Sequence, residues 1–452
     1  MHAWENRELK NIILIFSIAL ILRLFLFVSV APWQEGVEKE IILKFDDAPG
    51  YHNMAVHLAQ GKPFNKVYDR ALYQYLIVAL YSIFGYKPYI VIIFQLIMGA
   101  LTCVFLYKII QKIASENFAL FGGLFLAFEY SSILYTNHLL SETMFTFIFI
   151  ISTSFLMKFL MDNDNKALIY SAIFLGLSTH IRSIGLYFLI FLIPVFLLYF
   201  RDNLKKGILL FSIFLLVFFI MIVPWMVRNY VVAGEFVLSP DQGRAKYWFF
   251  PNIMNIVMPP QKIRYFIDKE GKTHYIGYFD REIQPENIPK TKRYIRAFFA
   301  DIRSNITGAY RFLFTVNSGG YPEILGYSVH KLSEERWKDG LLKMTRFVLT
   351  QKTPLELFFL FLGGTTLLFL YSMGLYGIYI SIIEREIKKV ILFITIILYF
   401  LMASSGPNAT EVINPRHKIP IIPYLIALSC YGLTKFIYRR YNKKSNHYIK
   451  KP

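Results

Sequence analysis

Long apolar runs recur along the chain, broken by short clusters of charged residues. The runs are 11–31, 88–113, 117–136, 141–161, 166–182, 183–200, 207–226, 355–383, 390–403 and 419–437. A hydrocarbon core of about 30 Å takes roughly 20 helical residues to cross, and lipid offers no partner to an unpaired backbone amide or carbonyl. The runs are too long and too uniformly apolar for barrel strands. The pattern therefore predicts an all-α polytopic membrane protein with about ten transmembrane helices. The stretch 71–86, "ALYQYLIVALYSIFGY", is shorter and bounded by Asp69-Arg70 and by Gly-Tyr-Lys-Pro. It reads as an interfacial or re-entrant helix. The segment 227–353 is the one large interruption, and its Pro, Tyr, Trp and charge content predicts an ordered insertion outside the bilayer.

Composition supports this picture. Of 452 residues, 55% are hydrophobic and 17% aromatic, more than soluble domains carry. The formal charge of +19 could suggest nucleic acid, but Lys and Arg gather in short connections and in the tail "YRRYNKKSNHYIKKP". That distribution follows the positive-inside rule, so membrane lipids and not nucleic acid are the expected partner. Placing Lys108, Lys112, Lys158, Lys166, Arg201, Lys205, Lys206, Lys388, Lys389 and the tail in the cytoplasm makes every connection alternate, provided 71–86 does not cross. Both termini are then inside. The expected organisation is a transmembrane module at 1–226 with a first outer loop at 32–87, and an extracytoplasmic loop domain at 227–353. Further transmembrane helices at 354–437 and a basic cytoplasmic tail at 438–452 complete it. The two cysteines, Cys103 and Cys430, lie in apolar runs and give neither disulfide nor zinc spacing. Residues 11–31 carry no cleavage pattern and read as a retained span. No internal repeat is visible.

Candidate chemistry concentrates on the outer side. Asp46 and Asp47 stand in "FDDAPGYHNMAVHLAQG" directly before a short helix. Asp47 is either an N-cap, with Pro49 in the first turn, or a general base that takes a proton from an incoming hydroxyl. Glu142, in "NHLLSETMF", is a second acid on the same face, and acids at span ends carry a functional hypothesis by default. The cations Arg70, Arg182, Arg416, His417 and Lys418 also fall outside, where few are expected. They are either snorkelling anchors or ligands of an anion such as a lipid phosphate. Arg23, inside the first span, has the same two readings. His52 and His57 do not share a helical face, and His138 with Glu142 falls short of a ligand set. No metal is assigned and a divalent ion stays open. Asn305 and Asn408 begin glycosylation sequons, which matter only in a host that uses them.

Several of these stretches resemble a known family in the right order. Asp47-Ala48-x-x-Tyr51 with "AVHLAQGKPF", then "YQYLIVALYSIFG", "LLSETMF", "GLSTHIRSIGL", "VPWMVRNYVVAGEFVLS" and "PRHKIPIIPYLIALSCYGL" are similar to landmarks of the GT-C membrane glycosyltransferases. The closest resemblance is to glycosyltransferase family 39, the protein mannosyltransferases and aminoarabinose transferases. The resemblance implies a GT-C fold with interfacial helices in the first outer loop and an extracytoplasmic insertion. It implies a polyprenyl-phosphate sugar donor and inverting transfer to a hydroxyl-bearing acceptor. Asp47 would be the catalytic carboxylate and Glu142 its second acidic partner, with Asp46 either a substitute for the family's adjacent acid or idle. Asp69, Arg70, Arg182, Arg416, Lys418 and Tyr51 would serve the donor. The family's usual Asp-Glu is Asp47-Ala48 here, and its Pro-Pro before the interfacial helix is Ala71-Leu72.

The expectation is thus an integral, multi-pass glycosyltransferase of a prokaryotic plasma membrane, with its site on the outer face. Two alternatives use related features. A transporter or lipid flippase would place charges near the bilayer midplane and often shows repeats. A polysaccharide polymerase or ligase would share the polyprenyl-linked substrates.

Overall fold

The structure is a computed structural model that describes residues 2–34, 36, 42–43, 47–62, 70–239, 265–267, 273–275, 290–314, 350–404 and 415–449. The chain divides into two compact units, 1–239 with 316–399 and 415–452, and 240–315 with 400–414.

The first unit is helical. Its elements are α1 (His2–Val30), α2 (Ala48–Ala59), α3 (Ala71–Phe84), α4 (Pro88–Gln111), α5 (Glu116–Phe128) and α6 (Tyr130–Thr136). Then come α7 (Glu142–Asp162), α8 (Asn165–Ile181), α9 (Phe188–Tyr199) and α10 (Leu204–Ala233). The second unit holds a two-stranded antiparallel hairpin, β1 (Tyr265–Ile267) and β2 (Thr273–Tyr275), with Phe266 opposite His274. It also holds the amphipathic α11 (Lys290–Phe314). After it follow α12 (Pro354–Ile383), α13 (Ile391–Ser404) and α14 (Ile422–Ile449). Residues 240–349 apart from these elements lie outside the described residues, as do Asp46, Asp69 and the sequon at Asn408.

All ten apolar runs fold as helices, but not as ten equal spans. Among the described residues five helices are long and apolar enough to cross a membrane: Asn6–Val30 within α1, then α4, α7, α10 and α12, with the bent α5–α6 pair a sixth if it is one span. Helices α8, α9 and α13 have 17, 12 and 14 residues. The chain is an integral membrane protein. Helix α3 has 14 residues, about 21 Å at 1.5 Å per residue, which falls short of the hydrocarbon thickness. It buries Tyr73, Ile77, Leu80 and Tyr81 on one stripe and leaves Tyr75, Ile83 and Phe84 exposed.

The run 117–136 departs from expectation: it breaks at Glu129 with a 53° bend. Glu129 takes an extended backbone, and its carboxylate accepts from the Ser131 and Ser132 amides at 3.1 and 2.6 Å, starting a new helix inside an apolar run. Helix α10 likewise runs on to Ala233, past the expected end at 226.

Helices α12 and α14 approach closely at glycines. A Cβ added to Gly432 would sit 2.0 Å from the Met373 carbonyl oxygen, and one on Gly377 would sit 2.9 Å from that of Leu428. With no hydrophobic drive between helices in lipid, such small-residue contact lets backbones pack. Helix α12 begins with a capping box: Thr353 accepts from the Glu356 amide while Glu356 accepts from that of Thr353.

Candidate active site

Five side chains from five places in the sequence meet in the first unit. Asp47 stands at the start of α2, yet its side chain makes no capping bond, so capping does not account for the acid. Its Oδ2 lies 3.0 Å from Arg416 Nη1 and 3.5 Å from Arg70 Nη1. Glu142 opens α7 and is 1% exposed, with Oε1 2.6 Å from Arg182 Nη1 and 3.5 Å from Arg416 Nε. Arg182 also donates to Ser141 Oγ at 3.3 Å. Arg416 therefore touches both acids. Asp47 is 29% exposed and the arginines 13–19%, whereas Glu142 is sealed, so the cluster is buried at Glu142 and reachable from the Asp47 side.

Local structure positions each arginine. Arg70 precedes α3 with φ 62° and ψ 39°, a left-handed backbone that a non-glycine residue holds only at a cost. Its guanidinium lies 5.2 Å over the ring of Tyr51, which meets Tyr73 edge-on at 5.1 Å. Tyr51 is thus buried beneath Arg70 and orients it. Arg182 sits at the break between α8 and a 3-10 turn over Ser183–Leu186. Arg416 belongs to a second 3-10 turn, Pro415–Lys418, ahead of α14.

The other expected cations differ. The His417 imidazole is pushed down to about 4 by burial and by the nearby Arg182 and Arg416, so it is neutral at pH 7. Lys418 is 5% exposed, and burial pushes its ammonium down to about 7 against the opposing pull of Glu129. Arg23 does not snorkel: it is 1% exposed inside the bundle. Neither Arg23 nor Lys418 forms a described ion pair with Asp47 or Glu142.

Gln95 carries a part that sequence reasoning missed. It accepts from the Tyr73 hydroxyl at 2.7 Å and donates to the Thr136 and His138 carbonyls at 3.2 and 2.6 Å. It thereby ties α3 and α4 to the turn that precedes Glu142. The visible signal is an amide side chain in the apolar run "YIVIIFQLIMG".

Asp47 and Glu142 are both turned onto arginines, and among the described residues no group of three His, Cys, Asp or Glu side chains assembles. The described residues alone do not complete a metal-ligand set, so no step is derived through a metal. Two carboxylates bridged by three guanidiniums can hold an anion on the cations while one acid serves a proton transfer.

Comparison with known proteins finds similar folds. Residues 71–227 match the family described as dolichyl-phosphate-mannose-protein mannosyltransferase. The archaeal oligosaccharyltransferase AglB from Archaeoglobus fulgidus, in complex with an inhibitory peptide and a dolichol-phosphate, aligns at TM-score 0.54 and 13% identity. The alignment covers 99% of this chain and 52% of that one. The same organism's oligosaccharyltransferase tethered to an acceptor peptide aligns at TM-score 0.51 and 12% identity, over 93% and 49%. ArnT from Cupriavidus metallidurans bound to undecaprenyl phosphate aligns at TM-score 0.42 and 14% identity, over 94% and 78%. No curated protein matches. The chain spans about half the length of the oligosaccharyltransferases it matches. Its fold is that of the GT-C glycosyltransferases. Within that fold, the family match is confined to 71–227.

Proposed function

We propose that the chain is a membrane glycosyltransferase that moves a sugar from a polyprenyl-phosphate donor to a hydroxyl on protein, lipid or glycan. The observation that carries this reading is the Asp47–Arg416–Glu142 bridge, flanked by Arg70 and Arg182. The donor phosphate sits on the guanidiniums, which neutralise charge as the bond from the anomeric carbon to the phosphate oxygen breaks. The acceptor oxygen attacks from the opposite face of the sugar, giving inversion, and Asp47 takes its proton. Glu142, held by Arg182 and Arg416, fixes the cations. Asp46 and Asp69 adjoin this group in sequence, and the family resemblance supports a role for them. The polyprenyl tail lies against the apolar helices. In this reading the site faces the outside of a prokaryotic plasma membrane.

The test is transfer itself. Purified protein incubated with radiolabelled polyprenyl-phosphate sugars and cell-envelope fractions should move label to a defined acceptor fraction. Label remaining on the lipid with every sugar and every fraction would overturn the proposal. Movement of intact donor across proteoliposomes without transfer would favour a flippase.

A further inference from the structure

Arg23 lies in the middle of an apolar helix, and its guanidinium is 1% exposed. Its Nη1 donates to the Ala19 carbonyl at 3.0 Å, the group contacts the Cys103 thiol, and Nε has no partner. Among the described residues no carboxylate pairs with it. The acid Glu129 has both oxygens engaged by the Ser131 and Ser132 amides. A buried guanidinium with no negative partner is costly, and inside a membrane bundle it calls for a counter-charge.

The space for one exists. Arg23 borders a cavity of about 20 Å³ lined also by Thr102, Ser132, Thr136, Thr143 and Thr146. That volume holds roughly one water-sized particle. Glycine keeps it open: a Cβ on Gly99 would lie 2.7 Å from Arg23 Nε and 2.6 Å from Thr136 Cγ2. Three of the hydroxyls are already spent, since Thr102, Thr136 and Thr143 donate to the Met98, Ile133 and Tyr135 carbonyls. Thr146 Oγ1 is buried without a partner. Two donors, Arg23 Nε and Thr146 Oγ1, are left without acceptors beside a guanidinium that no carboxylate among the described residues touches. A water would satisfy the donors and leave the charge.

We propose that this cavity binds one small monovalent anion, a halide, which accepts from Arg23 and Thr146 and neutralises the guanidinium. The cavity lies against the first turns of α7, so the bound ion ties α1, α4 and α7 together next to the turn that carries Glu142. One guanidinium and one hydroxyl match a monovalent ion, and a sulfate or phosphate would bring a second charge and further acceptors that this lining does not meet.

The experiment uses the full chain in detergent at constant ionic strength. Replacing gluconate by chloride or bromide should raise the thermal midpoint saturably, and replacing it by sulfate should not. Arg23→Gln should abolish the halide shift, and Thr146→Val should move its midpoint to higher halide concentration. Crystals grown in bromide should give an anomalous peak beside Arg23, a readout that stands even if Arg23→Gln fails to fold. A native midpoint equal in chloride and gluconate, an equal halide shift in Arg23→Gln, or no bromide peak would overturn the proposal and leave water as the occupant.

Discussion

Asp47 has two ways to matter, and a single substitution separates them. Its carboxylate faces Arg416 and Arg70 and makes no bond to the helix it precedes. Asn fits the same space and serves equally well at a helix start, but it cannot take a proton at neutral pH. Asp47→Asn should therefore fold and bind donor, and lose at least about a hundredfold in turnover, the low end of general-base contributions. Asp46→Asn should be milder. Normal turnover in a folded Asp47→Asn protein would move the search for the base to Asp46 or Glu142. Lys418 gives a prediction on stability. Its folded value is pushed down to about 7 from the ordinary 10.5, so the fold disfavours the charged form. Below pH 7 that cost is present in full. Between pH 7 and 10.5 the unfolded chain binds more protons, so stability rises with pH, by at most about 1.4 kcal/mol per unit. Thermal midpoints should climb from pH 7 to pH 9, and Lys418→Met should flatten the climb. An equal slope in both proteins would mean that the lysine stays charged when folded.

At the scale of elements, what was legible followed from what lipid demands. Each helix must satisfy its own backbone and present apolar side chains over a set length, so all ten runs could be read from hydropathy alone. The helix at 71–84 was legible for the same reason, as a short apolar run. The bend at Glu129 was not, because one acid followed by two serines looks like a blemish in an apolar run until its carboxylate is seen capping α6. Nor was the meeting of Arg70, Arg182 and Arg416, which depends on packing between distant helices. The sequence marked each only as a cation on the wrong side. His417 and Lys418 carried the same mark and proved to be buried groups of another kind. The α12–α14 contact is a further case, visible only once Gly432 is found against the Met373 carbonyl. Gly432→Val has no room to turn away from backbone, so it should separate the two helices. A loss of about 1–3 kcal/mol is expected, read as a lower thermal midpoint. An unchanged midpoint would show that the helices are not held by this contact.

At the scale of the whole molecule, charge is arranged along α14 and its neighbours. The turn before α14 brings Arg416 to Asp47 and Glu142, while its other half brings Lys435 to Glu384 and Glu386, both at 2.7 Å, and Arg439 to Glu384 at 3.0 Å. Within α14, residues 422 to 435 rise about 20 Å along the axis, and the turn at 415–418 precedes them. The two charged clusters therefore lie at the two ends of an apolar helical stretch. The basic tail follows the second cluster, and the positive-inside rule predicts a cytoplasmic position for that end. The Asp47 site is then predicted to face outward. Cysteines introduced at Gln60, in the first outer loop, and at Asn252 should react with an impermeant reagent on intact cells. A cysteine at Ser445 should react only after permeabilisation. Labelling of Ser445 from outside would invert the arrangement and put the carboxylates and their arginines on the cytoplasmic face. A donor presented outside could not then reach them.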